Sequence, residues 1–285
     1  MNYRHAFHAG NFADVIKHIV LVRMLTYLQD KQAAFRVIDT HAGAGRYDLG
    51  SVEAGKTLEW RDGIELLMKS KLDAPLRALL APYLDAVAAL NPAGALRAYP
   101  GSPALVQSLL RPQDRLIACE LEPQAAAALA GNLRGDARTK AIAIDGWTAL
   151  TAYVPPKERR GLVLVDPPFE QPQELSRLTQ ALAAAHRKWP TGCYLLWYPI
   201  KDAAEITAFV RKLSRLGIAK MLRIELFPAT ATDDTGLRGS GLIAVNPPWR
   251  LYDELETLMP ALASALSRGA ACRTTLDWLT GEITN

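Results

Sequence analysis

Residues 35–45 read FRVIDTHAGAG, and this stretch decides the fold. Its first half, Phe35–Asp39, contains Phe35, Val37 and Ile38 and predicts a short buried strand, and the small residues of His41–Gly45 predict a tight loop directly after it. Six further runs rich in Val, Ile, Leu or aromatic residues predict strands at 115–119, 140–144, 161–165, 193–197, 221–227 and 242–245. Helical stretches such as 123–133 and 174–189 lie between most of them. The alternation predicts a doubly wound α/β sheet of seven mostly parallel strands.

The chain is interpreted as one domain over residues 1–285 with an insertion. Residues 12–29 have helical spacing, with Asn11 as the N-cap. The first two predicted strands are too far apart in sequence for one crossover, and residues 59–90 have a helical pattern. We therefore interpret residues 48–98 as a small helical insertion.

The composition excludes several classes of protein. Hydrophobic residues make up 49% and charged residues 22%, so a sizeable core is expected and disorder is not. A net charge of +4 permits a nucleic-acid partner without requiring one. The three cysteines lack C-x-x-C spacing, which argues against a zinc site or a disulfide framework. Free thiols fit a reducing compartment, and no apolar run approaches the ~18 residues of a membrane helix. We expect a soluble cytoplasmic protein without a metal.

The residues that follow each predicted strand are the candidate ligand contacts, because ligands of open α/β sheets bind beyond the carboxyl ends of the strands. Gly43, in the G-x-G loop after the first strand, allows close approach of backbone N–H groups. Glu120 ends the second strand, where a carboxylate can accept hydrogen bonds from a ribose diol. Asp145 and Gly146 follow the third strand, where a carboxylate can hold an adenine amine and a glycine lets the ring lie flat. Each has a structural alternative when taken alone: a tight strand–helix turn for Gly43, a solvated strand-end carboxylate for Glu120, and a plain turn for Asp145 and Gly146.

Asp166–Phe169 (DPPF), after the fourth strand, is the strongest signal. The two prolines fix the backbone and remove donors, so the loop is rigid and offers acceptors. The Asp166 carboxylate and the Pro167 carbonyl can both accept hydrogen bonds from one amino group, and Phe169 offers a face on which a base can stack. An exocyclic amine of a nucleobase is a poor nucleophile, and two acceptors would prepare it for methyl transfer. Asp166 can then accept the surplus proton.

A second such loop, Asn246–Trp249 (NPPW), is interpreted as structural. It follows the last predicted strand, and too little chain remains after it to complete the sheet. The last strand in this topology usually runs antiparallel, so its end points away from the ligand face.

The first residues of the chain mix aromatic, cationic and imidazole groups. Tyr3, Arg4 and His5 suit base stacking and phosphate contact, and a disordered or capping arm is an equal alternative.

Taken together, these motifs resemble the ribosomal large-subunit methyltransferase J family over essentially the whole chain. The matching segments are Tyr3–Asn11, Asp39–Tyr47, Tyr99–Pro103, Asp166–Phe169 and Leu196–Pro199. One departure is Phe169, where the family commonly has tyrosine. Stacking survives this change, and only a hydroxyl contact is in doubt.

The resemblance implies a class I S-adenosylmethionine-dependent methyltransferase, Rossmann-like, with a helical insertion. It implies methylation of the N6 amine of adenine 2030 in 23S rRNA, as naked or early-assembly RNA, by a monomeric enzyme. Asp166 would be the catalytic acceptor, and Tyr3 and His5 would approach the RNA. The implied cofactor contacts are His18, His41, Ser102, Glu120, Asp145, Gly146 and Asp166, to which the glycine-loop argument adds Gly43.

Three other functions remain open from the residues alone. A DNA adenine methyltransferase usually needs a separate domain to read a duplex, and the insertion offers little chain for one. A methyltransferase acting on a protein or small-molecule amine would share the same loop. A non-catalytic RNA-binding protein is opposed by the intact Asp166 and the intact glycine loop.

Overall fold

The computed structural model describes residues 4–228, 237–267 and 272–281. The strands are β1 (Arg36–Asp39), β2 (Arg46–Asp48), β3 (Ala98–Pro100), β4 (Arg115–Glu120), β5 (Thr139–Ala143), β6 (Gly161–Val165), β7 (Cys193–Ile200), β8 (Met221–Phe227), β9 (Gly239–Val245) and β10 (Arg273–Thr280). The α-helices are α1 (Phe12–Gln29), α2 (Val52–Thr57), α3 (Ile64–Lys69), α4 (Ala74–Ala89), α5 (Ser102–Leu109), α6 (Pro123–Asn132), α7 (Gly146–Tyr153), α8 (Glu174–Lys188), α9 (Ala203–Ser214) and α10 (Leu251–Ala265). Short 3-10 helices lie at His5–Phe7 and Glu59–Asp62.

Eight strands form one sheet in the order β10-β8-β9-β7-β6-β1-β4-β5. Strands β1, β4, β5, β6 and β7 are parallel, and β9 is antiparallel to both of its neighbours. The chain runs outward from β1 to β4 and β5, then returns to β6 on the other side of β1. The order of the strands therefore reverses between β1 and β6, which is where open α/β sheets bind their ligands.

The α/β fold with a mostly parallel sheet is confirmed, and the seven predicted strands correspond to β1 and β4–β9. The eighth strand, β10, was not predicted. It pairs antiparallel with β8 at the edge of the sheet and is only half buried. Its sequence, RTTLDWLT, contains few large apolar residues, because an edge strand covered mainly on one side needs few. Strands β2 and β3 form a separate two-stranded antiparallel sheet, also not predicted.

Helix α1 is enclosed by the rest of the protein. All residues from Phe12 to Leu25 are buried, and the helix packs against α4, α5, α10 and β9 on one face of the sheet. Helices α7, α8 and α9 contribute Leu150, Leu178 and Phe209 to the core on the other face. The predicted N-cap is confirmed, since the Asn11 side chain accepts a hydrogen bond from the backbone N–H of Asp14. No helix in the described part of the chain is long and apolar enough to span a bilayer.

The helices between β2 and β3 hold the N-terminal arm, residues 4–11. The Thr57 hydroxyl donates a hydrogen bond to the Phe7 carbonyl, and the backbone N–H of Ile64 donates to the Gly10 carbonyl at 2.9 Å. The arm is thereby held against the beginning of α1, where it leads into the candidate site.

The second Pro-Pro loop has a structural role, as its position predicted. Strand β9 is antiparallel to β7, so the loop lies at the opposite edge of the sheet from the carboxyl ends of the parallel strands. The Asn246 side chain donates to the carbonyls of Pro190 and Gly192, at 2.8 and 2.9 Å, and so fixes the turn that enters β7. The expectation that too little chain follows to extend the sheet was wrong, because β10 comes after it.

Replacing Asn246 with alanine should lower the free energy of unfolding by about 2 kcal/mol. The carbonyls of Pro190 and Gly192 lose their hydrogen-bond donor, and alanine adopts the backbone φ of 49° at this position less readily than asparagine. Urea titration measures this loss, and ligand binding at the opposite edge should not change. Glycine adopts a positive φ without strain, so the loss of stability in an Asn246→Gly variant measures the contribution of the two side-chain hydrogen bonds alone. A change in ligand affinity would contradict the structural role.

Candidate active site

A cavity of about 580 Å³ opens beyond the carboxyl ends of β1, β4, β5 and β6. Most of the candidate residues from the sequence line it, namely His5, His18, His41, Gly43, Ser102, Glu120, Asp145, Gly146, Asp166 and Pro167. Tyr3 lies outside the described residues. Phe169 is not among the lining residues. The topology thus brings together in one cavity residues that are up to 162 positions apart in sequence, His5 and Pro167.

The glycine loop after β1 is tied to the end of β4. Gly43 has a φ of 60°, a conformation that favours glycine. Its backbone N–H donates to Glu120 Oε2 at 2.8 Å, and Glu120 Oε1 accepts from the N–H of Glu122 at 2.8 Å. The Glu120 carboxylate is therefore held in one orientation at the cavity wall, where it remains an acceptor for a ligand hydroxyl.

Asp39, the last residue of β1, is a buried carboxyl with one oxygen unsatisfied. Its Oδ2 accepts a 2.6 Å hydrogen bond from the Ser102 hydroxyl, whereas Oδ1 is buried and has no partner among the described residues. Burial raises the pKa of Asp39 to about 7, although the hydrogen bond from Ser102 opposes the rise. A buried acceptor without a partner, in a carboxylate that is hydrogen-bonded to the cavity-lining Ser102, suits a ligand that brings a donor.

Asp145 and Gly146, which follow β5, pack closely against the glycine loop. Asp145 caps α7 by accepting from the backbone N–H and hydroxyl of Thr148, at 2.9 and 3.0 Å. A Cβ at Gly146 would collide with the carbonyl of Thr40 and the ring of His41, so this position requires glycine. Burial lowers the pKa of His41 to about 4, and the His41 ring is therefore neutral at pH 7.

The DPPF loop after β6 brings Asp166 and Pro167 to the cavity and turns Phe169 elsewhere. Phe169 has a φ of 53°, which costs a non-glycine residue on the order of 1 kcal/mol and is characteristic of functional loops. Its ring lies edge-on to Trp197, with centroids 5.6 Å apart. Stacking of a base on Phe169 stays a prediction.

A chain of buried charges positions Asp166. Lys17 Nζ donates to Asp166 Oδ2 at 2.5 Å and to Asp14 Oδ1 at 2.8 Å, and the Lys17 side chain is only 5% exposed. Burial alone would lower the pKa of Lys17, but Asp14 and Asp166 more than offset burial and raise it above its usual value. Asp14 in turn lies 2.9 Å from His5 Nε2. The network thus runs from the N-terminal arm to the DPPF loop.

Sequence reasoning missed the roles of Asp14 and Lys17. The only signal was their spacing of three positions within a helix whose residues up to Leu25 are otherwise apolar, except for His18 and Arg23. Two charged residues one turn apart on such a helix are either solvated or paired in a site, and the sequence alone does not distinguish the two.

A mainly parallel sheet with this order of strands, a glycine loop after β1, an acid at the end of β4 and a DPPF loop after β6 define a class I S-adenosylmethionine-dependent methyltransferase fold. A family model described as "Ribosomal RNA large subunit methyltransferase D, RlmJ" matches residues 32–280. The chain belongs to this ribosomal RNA large subunit methyltransferase J family, as its motifs predicted.

Relatives and a solved structure support the family. The chain is 39% identical to Ribosomal RNA large subunit methyltransferase J of Escherichia coli K12, over 99% of this chain and 100% of that protein. It is 38% identical to the protein of the same name from Haemophilus influenzae Rd, with the same coverage. A crystal structure of a Legionella pneumophila protein matches 95% of this chain and 98% of its own, with a TM-score of 0.86 and 34% identity.

Proposed function

We propose that this protein transfers a methyl group from S-adenosylmethionine to the N6 amine of an adenine in 23S rRNA, namely adenine 2030. We further propose that it acts in the cytoplasm as a monomer on naked or early-assembly RNA. The names of the bacterial relatives support the class of substrate. The main observation in support of this reaction is the position of the Asp166 carboxylate, which Lys17 holds at the cavity wall.

The hydrogen-bond acceptors in and around the cavity match the donor groups of S-adenosylmethionine. Asp39 Oδ1, which has no partner among the described residues, would accept a hydrogen bond from a donor such as the ammonium of the cofactor. Glu120 is placed for a ribose hydroxyl and Asp145 for the adenine amine, while Gly146 leaves space for the flat ring. The residues assigned to the cofactor are His18, His41, Gly43, Ser102, Glu120, Asp145, Gly146 and Asp166. When bound, the cofactor supplies an electrophilic methyl group on a sulfonium.

Asp166 and Pro167 prepare the amine of the substrate. Asp166 Oδ2 is taken by Lys17, and within the described residues Oδ1 has no hydrogen-bond partner, so it can accept one N6 hydrogen while the Pro167 carbonyl accepts the other. Both contacts favour a nitrogen that becomes cationic as it attacks. The alkylated amine is strongly acidic, so even a carboxylate paired with Lys17 is basic enough to take its proton, directly or through water.

The substrate adenine must leave its stack, because its N6 has to reach a site inside a cavity. Arg4 and Arg46 line the cavity and are suited to the phosphates beside a flipped nucleotide. His5, which is paired with Asp14, lies in the same wall, and we propose that it and Tyr3 contact the RNA. Residues 48–98, which hold the N-terminal arm, are proposed to be the insertion that keeps these residues in place.

Replacing Gly146 with alanine should raise the dissociation constant of S-adenosylmethionine at least about ten-fold, because the new Cβ displaces Thr40 or His41 at the cavity wall. Isothermal titration calorimetry measures this dissociation constant. Gly131→Ala in α6, where an added Cβ meets nothing within 4 Å, is the matched control and should bind normally. Equal affinities in the two variants would contradict the assignment of this wall to the cofactor.

The reaction is tested with deproteinised 23S rRNA, duplex DNA and total protein as acceptors of a radiolabelled methyl group. We expect label only in the RNA, as N6-methyladenine, and mapping in a strain that lacks the protein should show the loss of this one modification. Label in duplex DNA, in protein or at another atom of the base would contradict the proposal. Cofactor binding without any transfer would favour a non-catalytic RNA-binding protein.

A further inference from the structure

Three buried rings connect the helical region between β2 and β3 to the cofactor cavity. His18 of α1 lines the cavity, and its Nδ1 lies 2.8 Å from the hydroxyl of Tyr99 in β3. The Tyr99 hydroxyl lies 2.9 Å from that of Tyr83 in α4. All three residues are at most 1% exposed, and neither tyrosine lines the cavity. The rings therefore form a hydrogen-bonded relay from α4 to His18.

The direction of the hydrogen bonds follows from the number of protons. If Tyr83 donates to Tyr99 and Tyr99 donates to His18 Nδ1, both hydroxyl protons are used and the imidazole proton is on Nε2. In the reverse direction the Tyr83 hydroxyl would have to donate elsewhere, and within the described residues its only partner is Tyr99. A buried hydroxyl proton without an acceptor costs about 1–3 kcal/mol, so the first direction is favoured.

The charge near His18 favours the same arrangement. Burial lowers the pKa of His18 to about 3, so the ring is neutral and carries one proton. Its Nε2 lies 4.0 Å from Asp14 Oδ1, and a carboxylate at that distance favours the proton on the nearer nitrogen. The proton count and the charge thus agree on an Nε2–H facing away from the relay.

We propose that Tyr83 and Tyr99 are positioning residues that hold His18 in the Nε2–H form, so that it donates a hydrogen bond to the carboxylate of the cofactor. This proposal rests on the proposed function. The carboxylate is the strongest acceptor of S-adenosylmethionine, whereas the groups assigned to Asp39, Glu120 and Asp145 are donors. The relay gives α4 a part in cofactor binding although it does not touch the cavity.

The form of His18 is measured first, on the ligand-free wild-type protein. Long-range ¹H–¹⁵N correlation spectra distinguish the two imidazole forms, and the His18 signals are assigned by their absence in His18→Gln. We expect the Nε2–H form between pH 6 and 8, without titration. The Nδ1–H form, or a protonated ring in this range, would overturn the proposal even if every tyrosine variant failed to fold.

Cofactor binding is measured next, with S-adenosylhomocysteine as the probe. Tyr99→Phe should raise its dissociation constant about ten-fold and Tyr83→Phe about three-fold, and both should leave the affinity for methylthioadenosine, which lacks the carboxylate, unchanged. Tyr194→Phe is the matched control, because Tyr194 is equally buried and its hydroxyl donates to Ala185 and Trp189 away from the cavity. It should lose stability without losing affinity.

A double-mutant cycle separates positioning from packing. If Tyr99 acts through His18, Tyr99→Phe should have no further effect on affinity in a His18→Gln background. An unchanged effect in that background, or equal affinities for Tyr99→Phe and Tyr194→Phe, would overturn the relay. A wild-type protein that fails to bind S-adenosylhomocysteine would instead contradict the proposed function itself.

Discussion

Methyl transfer by an Asp166→Ala variant is expected to fall at least about 100-fold in kcat, while S-adenosylmethionine still binds within a few-fold of the wild-type affinity. In the proposed mechanism the carboxylate acts on the amine of the substrate as positive charge develops there, so its removal should raise the barrier more than it weakens binding in the ground state. Single-turnover transfer to 23S rRNA measures the rate, and calorimetry measures binding. Folding should survive, because Lys17 keeps Asp14 as its partner.

An Asp166→Asn variant divides the effect into two parts. Its amide oxygen can still accept an N6 hydrogen, but the charge that pairs with Lys17 is lost, so we expect a rate between those of the wild type and Asp166→Ala. Full activity in Asp166→Ala would eliminate the mechanism. Loss of cofactor binding together with activity would show that Asp166 acts mainly by binding the cofactor and not by preparing the amine.

Replacing Lys17 with methionine should lower the free energy of unfolding by about 3 kcal/mol, because two carboxylates lose the cation that they share in a buried place. Asp14 is 2% exposed, and although burial alone would raise its pKa, His5 and Lys17 hold that pKa well below its usual range. Activity should fall as well, since Asp166 loses the contact that orients it. Urea denaturation and the transfer assay measure the two effects.

The matched control for Lys17 is Lys69→Met. Lys69 pairs with Glu65 at 3.1 Å in α3, but its side chain is 68% exposed, and solvent screens such a pair, so a change below about 1 kcal/mol is expected. Equal losses of stability in the two variants would show that the buried network adds nothing to the ordinary value of a surface ion pair.

The sheet was predictable because its central strands are apolar on both faces. The run that became β6 is continuously apolar, and those that became β1 and β4 have apolar interiors between charged end residues, as expected for strands covered by helices on both sides. The short β2 and β3 and the edge strand β10 lack that signal. Their pairing depends on residues far away in sequence, such as Arg273 opposite Phe227.

The candidate site was predictable where a residue follows a strand, and not where it lies on a helix. Gly43, Glu120, Asp145 and Asp166 follow from one rule about the ends of parallel strands. Lys17 reaches Asp166 from 149 positions away, and no spacing in the sequence indicates that contact. The resemblance supplied His18, but nothing in the sequence connected it to Tyr83 in α4.

The complete enclosure of α1 has a consequence for how this chain tolerates change. Every position from Phe12 to Leu25 is in contact with other parts of the protein, and the same helix carries Lys17 and His18. A fragment that begins at residue 32 would retain every strand, yet it would expose an apolar trough along one side of the sheet and should precipitate rather than fold. In the native chain α1 covers this apolar surface and also places Lys17 and His18 at the cavity. Removing α1 should therefore abolish both the solubility of the protein and the proposed methyl transfer.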